Sequence, residues 1–479
     1  MQPRSTTEHY ALAPRPRRQP AGRWLCATLR ADIQAGRLAP GARLPSSRRL
    51  AALAGLSRGT AVAAIEQLQS EGYLHGRSRS GVFVVPDPPV ASRSHALPAP
   101  ARPATAITRL EPFVRLAPGA RRAFVTNVPA VDAFPLTVWA RLASRRVRRS
   151  SIRDLTSCGA LGYEPLRAAV ADYLRRSRGV VCATEQVVIV SGVQEALSAA
   201  ARLLVGPGDR AIMETPGYTG ARRALAAAGA RLQFAPIDDE GMRVPPRRLA
   251  PRIAYVTPAH QFPLGISMSY ARRLALLQWA QATGGTILED DYDSEFRYTG
   301  QPLPSLQGLD AHGCVVFMGS FNKMLFPSLR LGYLVVPPAL IDPLAALLSV
   351  SGQHRPFVDQ ATLCDFMSEG HFFRHLRRMR RVYAARRAVL GEAVEQRLSG
   401  ALSLTRSEAG LQAFGRLLIA HPSAVVAAAA EQDAISVTPL SRYAYGPSAF
   451  DGLVLGFAAI DEREIRAGVT RLARTFDRL

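Results

Sequence analysis

From residue 121 to the C-terminus, short apolar runs alternate with amphipathic stretches, and this alternation restricts the fold more than any other feature of the sequence. Such runs are typical of strands buried on both faces, and the stretches between them have helical periodicity. We predict strands at residues 187–190, 211–213, 252–256, 285–288, 314–317 and 332–336, and helices at residues 195–204 and 270–282. The pattern indicates a large α/β domain, residues 121–479, with a mostly parallel sheet and ligands at the carboxyl ends of its strands.

Residues 19–86 have a different pattern, that of three helices followed by a hairpin. Leu25, Leu29 and Ile33 repeat at helical spacing, while Ser46 and Ser57 are candidate N-caps of the second and third helices. Glycines then punctuate a pair of short strands between residues 73 and 85. This order predicts a winged helix-turn-helix.

The charge distribution favours a polyanionic partner for this N-terminal domain. The chain has a formal net charge of +23, and residues 15–86 hold twelve arginines against Asp32, Glu66 and Glu71. Arginines at a helix-turn-helix and its hairpin are suited to backbone phosphates and groove edges of double-stranded DNA. The alternative is a solvated basic face on a small interaction domain.

The stretches 36–51, 56–60 and 71–74 resemble the GntR-type DNA-binding domain. The sequence departs from that pattern at Gly59, early in the third helix, and at Ala61. By this resemblance, the phosphate and base contacts would come from Arg48, Ser57, Arg58, Thr60, Arg77 and Gly81.

Two further segments show no apolar period. Residues 1–18 are predicted to be a flexible tail, and residues 87–120, rich in proline, alanine and arginine, to be a semi-extended linker.

Five scattered cysteines without a C-x-x-C pair predict reduced thiols, with neither a disulfide scaffold nor a metal site. No run of about 18 apolar residues is present, so we expect no membrane partner and a cytoplasmic location.

Lys323 is the only lysine of the chain; the other 59 of the 60 basic residues are arginine. Arginine replaces lysine wherever a positive charge suffices, but its pKa stays above about 12, so it supplies no neutral amine. A solitary lysine therefore indicates amine chemistry, of which a Schiff base with an aldehyde cofactor is the obvious form. The alternative is a leftover surface lysine.

Polar residues at the predicted strand ends suit such a cofactor. The turn before the helix at 195–204 offers N–H groups to a phosphate, and Arg330 can clamp that phosphate beside Ser320. Asp290 can hold a pyridinium nitrogen protonated, with Tyr292 reaching the ring hydroxyl. The carboxylates at 289–295 could also suggest a metal site, but no histidine lies among them. The candidate cofactor-binding residues at these ends are Ser191, Gly192, Val193, Gln194, Asp290, Tyr292, Ser320 and Arg330.

Together with Lys323, these residues resemble those of a fold-type I pyridoxal 5'-phosphate (PLP) enzyme of the aspartate aminotransferase type. The stretches 162–167, 213–222, 257–265 and 289–298 resemble the MocR family, in which a GntR-type head is joined to an aminotransferase-like body. The resemblance implies a head-to-tail homodimer whose body senses PLP or an amino compound as effector. It also implies that Tyr218 stacks on the cofactor ring; the alternative is an ordinary turn tyrosine.

Several departures from active aminotransferases put turnover in doubt. Phe262 stands where an asparagine binds the ring hydroxyl, and Ser157 where a tyrosine often reaches the neighbouring subunit's phosphate. Residues 453–457 lack the expected substrate-carboxylate arginine, which makes Arg442 the replacement candidate for binding an effector. His260 is a second candidate beside the cofactor; the alternative is a structural histidine.

The sequence thus predicts a PLP-dependent, DNA-binding transcriptional regulator. The first alternative is a catalytically active PLP-dependent aminotransferase with a fused DNA-binding domain. The second is a DNA-binding protein whose body serves only as a dimerisation scaffold, without cofactor.

Overall fold

The computed structural model describes residues 10–16, 19–77, 80–89, 122–156, 159–300, 303–351, 356–446 and 450–479. The chain divides into two compact units, Met1–Pro103 and Ala104–Leu479, and the division falls within the predicted linker. Most of that linker and of the predicted tail, together with Ser157, lies outside the described residues.

The N-terminal unit is the predicted winged helix-turn-helix, with helices α1 (Ala21–Gln34), α2 (Ser47–Ala54) and α3 (Arg58–Ser70) and an antiparallel hairpin of β1 (Leu74–Arg77) and β2 (Gly81–Val84). The two serines predicted as N-caps act as such: Ser46 accepts a hydrogen bond from the Arg49 N–H, and Ser57 from the Thr60 N–H. Gly55 ends α2 in the left-handed conformation, with φ of 63°.

The larger unit contains the remaining elements. Its described helices of four residues or more are α4 (Leu136–Arg149), α5 (Ile152–Thr156), α6 (Glu164–Arg178), α7 (Val193–Leu204), α8 (Thr219–Ala227), α9 (Tyr270–Thr283), α10 (Leu306–Leu309), α11 (Phe321–Met324), α12 (Ile341–Val350), α13 (Phe357–Ser368), α14 (His371–Leu398), α15 (Ser423–Gln432) and α16 (Glu462–Asp477). Its strands are β3 (Val187–Val190), β4 (Arg210–Thr215), β5 (Arg231–Asp238), β6 (Gly241–Met242), β7 (Ile253–Val256), β8 (Thr286–Asp291), β9 (Val315–Ser320), β10 (Gly332–Val335), β11 (Leu402–Leu404), β12 (Gln412–Leu417), β13 (Thr438–Pro439) and β14 (Gly452–Gly456).

Eight strands form a central sheet in the order β3-β10-β9-β8-β7-β4-β5-β6. The pairs from β9 through β8, β7 and β4 to β5 are parallel, while β10 runs antiparallel to both of its neighbours. The prediction of a mostly parallel sheet is therefore confirmed, and all six predicted strands are present within it. Because β10 lies between β3 and β9 and runs antiparallel to both, β3 and β9 point the same way and end at the same edge of the sheet.

A second, smaller sheet in the C-terminal part has the order β11-β12-β14-β13 and is antiparallel throughout. Its buried residues, such as Leu402 and Leu455, belong to the same apolar core as Ile189 and Phe317 of the central sheet. The small sheet is thereby fixed to the large one by shared burial rather than by strand pairing.

Candidate functional site

The antiparallel strand β10 brings two predicted phosphate-binding segments together. Gly332 is the residue opposite both Val190, at the end of β3, and Ser320, at the end of β9. A Cβ atom at Gly332 would lie 2.9 Å from the Gly192 Cα, so only glycine permits this approach. The loop after β3 and the segment after β9 that contains Lys323 (residues 320–330, the lysine segment) therefore meet at one edge of the sheet.

The loop after β3 leads directly into helix α7. Gly192 has φ of 94° and precedes Val193 and Gln194, the first residues of the helix, whose N–H groups have no acceptor within it. The Ser191 N–H donates to the Glu195 carboxylate, a pairing that the sequence did not indicate. Because the Ser191 N–H is already bonded to Glu195, a phosphate at this helix end would be bound by the later N–H groups, such as those of Val193 and Gln194.

The residues of the lysine segment differ in exposure. Ser320 is buried, and its hydroxyl accepts a hydrogen bond from the Asn322 N–H at 3.2 Å. Arg330 is exposed, lies two residues before Gly332, and has a left-handed backbone with φ of 51°. The β9–β10 pairing therefore brings the Arg330 backbone beside the Ser320 turn, while its guanidinium group faces solvent.

Lys323 lies in the short helix α11 with its ammonium nitrogen 4.0 Å from the centre of the Tyr292 ring. Desolvation lowers the pKa of Lys323, and the charges of Asp293 and Asp290 oppose that shift in part. A lowered pKa increases the fraction of neutral, nucleophilic amine near pH 7.

Asp290, at the end of β8, is buried and has one oxygen satisfied and one not. The Tyr255 hydroxyl donates to Asp290 Oδ2 at 2.7 Å, whereas Oδ1 has no hydrogen-bond partner among the described residues. Burial raises the pKa of Asp290 to about 6, against the opposing effects of Tyr255 and Lys323. A buried, unpartnered carboxylate oxygen fits the protonated ring nitrogen of PLP, which would supply the missing donor.

Aromatic side chains form a wall beside these groups. The Phe262 ring packs edge-on against Tyr218 at 5.6 Å, Tyr292 at 5.7 Å and Tyr443 at 4.9 Å between ring centres. Phe262, which the sequence resemblance aligns with the asparagine of active aminotransferases, thus makes apolar contacts here. Tyr218 and Tyr292 both pack against the Phe262 ring.

The two predicted effector-binding residues have different surroundings. His260 is buried, and its Nδ1 lies 3.1 Å from the Tyr292 hydroxyl. Arg442 is exposed at the end of a short 3-10 helix, one residue before Tyr443. The structure therefore brings His260 into the site directly, and Arg442 only to the edge of the aromatic wall.

Sequence reasoning missed several residues of this region. The sequence pattern does not single out Tyr255 or Asn322, yet the Tyr255 hydroxyl donates to Asp290, and the Asn322 Oδ1 is buried without a partner among the described residues. Glu214 is buried and bonded by Thr257, and burial raises its pKa to about 7. A buried tyrosine hydroxyl needs a partner, so Tyr255 within an apolar strand was a usable signal; no comparable signal identifies Asn322.

In the N-terminal unit, Arg48 is exposed in the first turn of α2, and Ser57 and Arg58 are exposed where α3 begins. The Ser57 hydroxyl caps α3 and also lies 2.9 Å from the Thr60 hydroxyl. The structure places Ser57, Arg58 and Thr60 at the start of α3, and Arg48 at the start of α2.

The hairpin carries the two other predicted DNA contacts. Arg77 is exposed at the end of β1, with its guanidinium group 5.1 Å from the centre of the Phe83 ring. Gly81 has φ of 110°, and a Cβ there would lie 2.9 Å from the Arg43 Nε. Arg43, which the resemblance did not single out, thus packs against the β1–β2 hairpin at Gly81.

Comparison with known proteins accounts for both units. Residues 24–84 match the family of bacterial regulatory proteins of the gntR type, and residues 124–472 match aminotransferase class I and II. The chain is 41% identical over 463 residues to the probable rhizopine catabolism regulatory protein MocR of Rhizobium meliloti, covering 95% of this chain and 94% of that protein. The chain belongs to the MocR family of transcriptional regulators.

Further relatives agree with membership of the MocR family. The pyridoxine biosynthesis transcriptional regulator PdxR of Corynebacterium glutamicum is 33% identical over 444 residues, with 91% of this chain and 92% of that protein covered. The structure of LysN, an alpha-aminoadipate aminotransferase from Thermus thermophilus solved with N-(5'-phosphopyridoxyl)-L-leucine, matches with a TM-score of 0.69 and 27% identity, covering 78% of this chain and 95% of that one. The body of this MocR-family chain therefore has the fold of PLP-dependent aminotransferases, and its GntR-type head is a DNA-binding domain.

Among the described residues of this MocR-family chain, no helix combines the length and apolar character needed to cross a membrane.

Proposed function

We propose that this regulator binds PLP at Lys323 and that the bound cofactor, or an amino compound reacting with it, changes the affinity of the protein for DNA. The observation that carries this proposal is the pairing of a solitary lysine of lowered pKa with the buried, unpartnered oxygen of Asp290. An unsatisfied buried carboxylate oxygen such as Asp290 Oδ1 costs free energy until a donor reaches it.

The described residues would divide the binding of PLP among them. The start of α7 with Ser320 and Arg330 would hold the phosphate, Asp290 the ring nitrogen, and Tyr292 the ring hydroxyl, with Tyr218 against the ring. When bound, PLP supplies an aldehyde that condenses with a primary amine and a ring that withdraws electrons. Desolvation of Lys323 keeps its amine available for that condensation.

A sensing role is favoured over turnover by what the site lacks. The Phe262 side chain has no hydrogen bond to offer to the ring hydroxyl, and Arg442 is exposed, with no hydrogen bond among the described residues that would orient it toward a substrate carboxylate. An active aminotransferase remains the second candidate, because the amine, the carboxylate and the fold are all those of the aminotransferases that the chain resembles.

The regulator would act as a head-to-tail homodimer whose paired heads bind two half-sites on double-stranded DNA. An effector shifts DNA affinity only if it binds the two conformational states of the body unequally. We therefore expect PLP, or PLP with an amino compound, to change DNA affinity by roughly 5- to 150-fold.

The test compares DNA binding of the full chain with and without PLP for the wild type, Lys323→Ala and Lys323→Arg. Lys323→Arg is the matched control, since it retains a positive charge but cannot condense with an aldehyde. We expect the wild type to show visible absorbance and a PLP-dependent change in affinity, and both variants to lose the two together.

Other outcomes contradict the proposal in distinct ways. A variant that retains both the absorbance and the PLP response would show that Lys323 is not the attachment point. A colourless wild type without a borohydride-trapped adduct on Lys323 would favour a scaffold, and steady conversion of amino donor and keto acid would favour an aminotransferase.

A further inference from the structure

His260 lies in a buried hydrogen-bond network whose role the proposed function leaves open. Its Nδ1 is 2.8 Å from Asp293 Oδ1 and 3.1 Å from the Tyr292 hydroxyl oxygen. Its Nε2 is 3.0 Å from the Ser407 hydroxyl oxygen, which lies 2.8 Å from the Ala409 carbonyl oxygen. Both ring nitrogens of His260 thus have a polar neighbour within hydrogen-bond distance.

Two glycines confine the imidazole to this orientation. A Cβ atom at Gly410 would lie 2.2 Å from the His260 Cε1, and one at Gly265 would lie 3.0 Å from its Nε2. Both glycines have positive φ, 101° and 80°, so a side chain at either position would be strained as well as crowded by the ring. The ring is therefore held with Nδ1 toward Asp293 and Tyr292.

The position of one proton follows from the chemistry of these partners. A carboxylate oxygen only accepts, so the 2.8 Å contact between His260 Nδ1 and Asp293 Oδ1 requires a proton between them. With that proton bound, Nδ1 has no free lone pair, so it cannot accept a hydrogen bond from the Tyr292 hydroxyl. The Tyr292 hydroxyl proton is consequently directed away from His260 and toward another acceptor.

Tyr292 remains a hydrogen-bond donor in this setting. Desolvation raises its pKa well above its ordinary value, and neighbouring negative charges, of which Asp293 contributes most, act in the same direction. The charged or titratable groups that act on or contact Tyr292 are His260, Asp293, Asp290, Glu214, Asp291 and Lys323.

We propose that the His260–Asp293 pair is a positioning device that keeps the Tyr292 proton directed at the ring hydroxyl oxygen of PLP. The inference rests on the proposed binding of PLP and extends it to residues that do not themselves touch the ring. Phe262 explains why such a device is useful, because Tyr292 has no asparagine beside it to share the donation.

The test is a pH titration of the visible absorption of full-length protein loaded with PLP. Loss of the Tyr292 donor raises the proton affinity of the ring oxygen, so Tyr292→Phe is expected to raise the spectral midpoint by about one pH unit. His260→Phe leaves Asp293 without its donor, and the Tyr292 hydroxyl would then turn to that carboxylate. We expect His260→Phe to give the same shift as Tyr292→Phe, and the double variant to give no more than either single one.

A matched substitution separates positioning from packing. The side-chain amide of His260→Asn occupies the place of Nδ1 and donates to Asp293, so this variant should retain the wild-type midpoint. Ser407→Ala removes the partner of Nε2 and the Ser407 hydrogen bonds to Ala409 but leaves the contacts of Nδ1 in place, so this variant should also retain the wild-type midpoint. If His260→Phe does not fold, His260→Ala removes the same donor without adding volume and serves in its place.

The positioning role is refuted if His260→Phe or His260→Ala leaves the midpoint unchanged, or if its shift adds to that of Tyr292→Phe. It is refuted equally if His260→Asn shifts the midpoint as far as His260→Phe does. Borohydride trapping on Lys323 is measured first in the wild type: its absence would refute PLP binding itself, whereas trapping with an unchanged midpoint refutes only the positioning role.

Discussion

The Tyr255 hydroxyl controls the charge of the site from within a strand. It donates to Asp290 Oδ2 at 2.7 Å, and this hydrogen bond opposes the rise in the Asp290 pKa that burial causes. Only the ionised carboxylate can hold a protonated ring nitrogen strongly. Tyr255, which is not among the residues proposed to contact PLP, would therefore contribute to PLP affinity through Asp290.

We expect Tyr255→Phe to weaken PLP binding about tenfold, since a hydrogen bond to a charged group contributes on the order of 1.5 kcal/mol. The loss should be greatest above pH 6, where Asp290 is ionised in the wild type. Equilibrium titration with PLP at pH 5.5 and pH 8 measures it. Tyr270→Phe, at an exposed tyrosine, is the control, and equal affinity of Tyr255→Phe and wild type at pH 8 would contradict the prediction.

Glu214 gives a pH dependence of stability. Burial raises its pKa from the ordinary 4.5 to about 7 in the folded chain. The folded state therefore binds the proton more tightly than the unfolded state, and the resulting stability is present below pH 4.5 and lost as the pH rises through 7.

Glu214→Gln should remove this dependence. In the cofactor-free protein, the stability lost between pH 5 and pH 8 is expected to be smaller than in the wild type by on the order of 3 kcal/mol. Denaturant titrations of the larger unit at the two pH values measure the difference. Glu185→Gln, at an exposed carboxylate, should leave the wild-type pH dependence intact, and an identical dependence in Glu214→Gln would refute the assignment.

At the scale of elements, the reversed strand β10 joins the two segments that we propose to bind the cofactor phosphate. Its first residue, Gly332, would place a Cβ 2.8 Å from the Gly319 carbonyl oxygen and 2.9 Å from the Gly192 Cα. Neither atom belongs to a flexible side chain, so the strand itself would have to move. The spacing between the helix start at α7 and the lysine segment therefore depends on the absence of one methyl group.

Gly332→Ala is expected to lower PLP affinity at least about tenfold and to destabilise the larger unit by roughly 1–3 kcal/mol. Gly400→Ala is the matched control, because a Cβ at that position meets no atom within 4 Å and its φ is not positive. Affinity and thermal unfolding of the two variants are compared. Equal behaviour of Gly332→Ala and Gly400→Ala would show that the strand accommodates the added methyl.

The elements that could be predicted from the sequence are those whose burial leaves a periodic pattern. The bounds of strand β3 are predicted correctly because all four of its residues are buried, and the first residue of α9 because its apolar period is regular. Strand β5 was missed since it is only partly buried and contains a proline, and the edge strands β11 and β13 of the small sheet were missed since they have only three and two residues. Likewise, Lys323 and Asp290 could be predicted from residue type and order, whereas the His260–Asp293 contact depends on a distance that no spacing encodes.

For the whole molecule, the two compact units imply that DNA contact and cofactor binding can be altered separately. Arg58 is exposed at the start of α3 in one unit, and Lys323 lies in α11 of the other. Phosphate contacts release counterions, so removal of a phosphate-binding side chain lowers the salt dependence of DNA binding.

We expect Arg58→Ala to weaken DNA binding and to reduce the slope of log affinity against log salt concentration by about 1 for each phosphate that the arginine neutralises. Visible absorbance in the presence of PLP should stay at the wild-type level. Lys323→Arg should show the reverse pattern, with the slope retained and the absorbance abolished. A change in absorbance on substituting Arg58 would argue against separate sites.

The solitary lysine also allows local opening of the chain around Lys323 to be measured by proteolysis. A protease that cleaves only after lysine has a single target bond, Lys323–Met324, which would yield pieces of 323 and 156 residues from the 479. Met324 is buried, and the bond lies inside helix α11, so cleavage requires that segment to open. The rate at which the two pieces appear therefore measures how often the lysine segment opens, without any label being introduced.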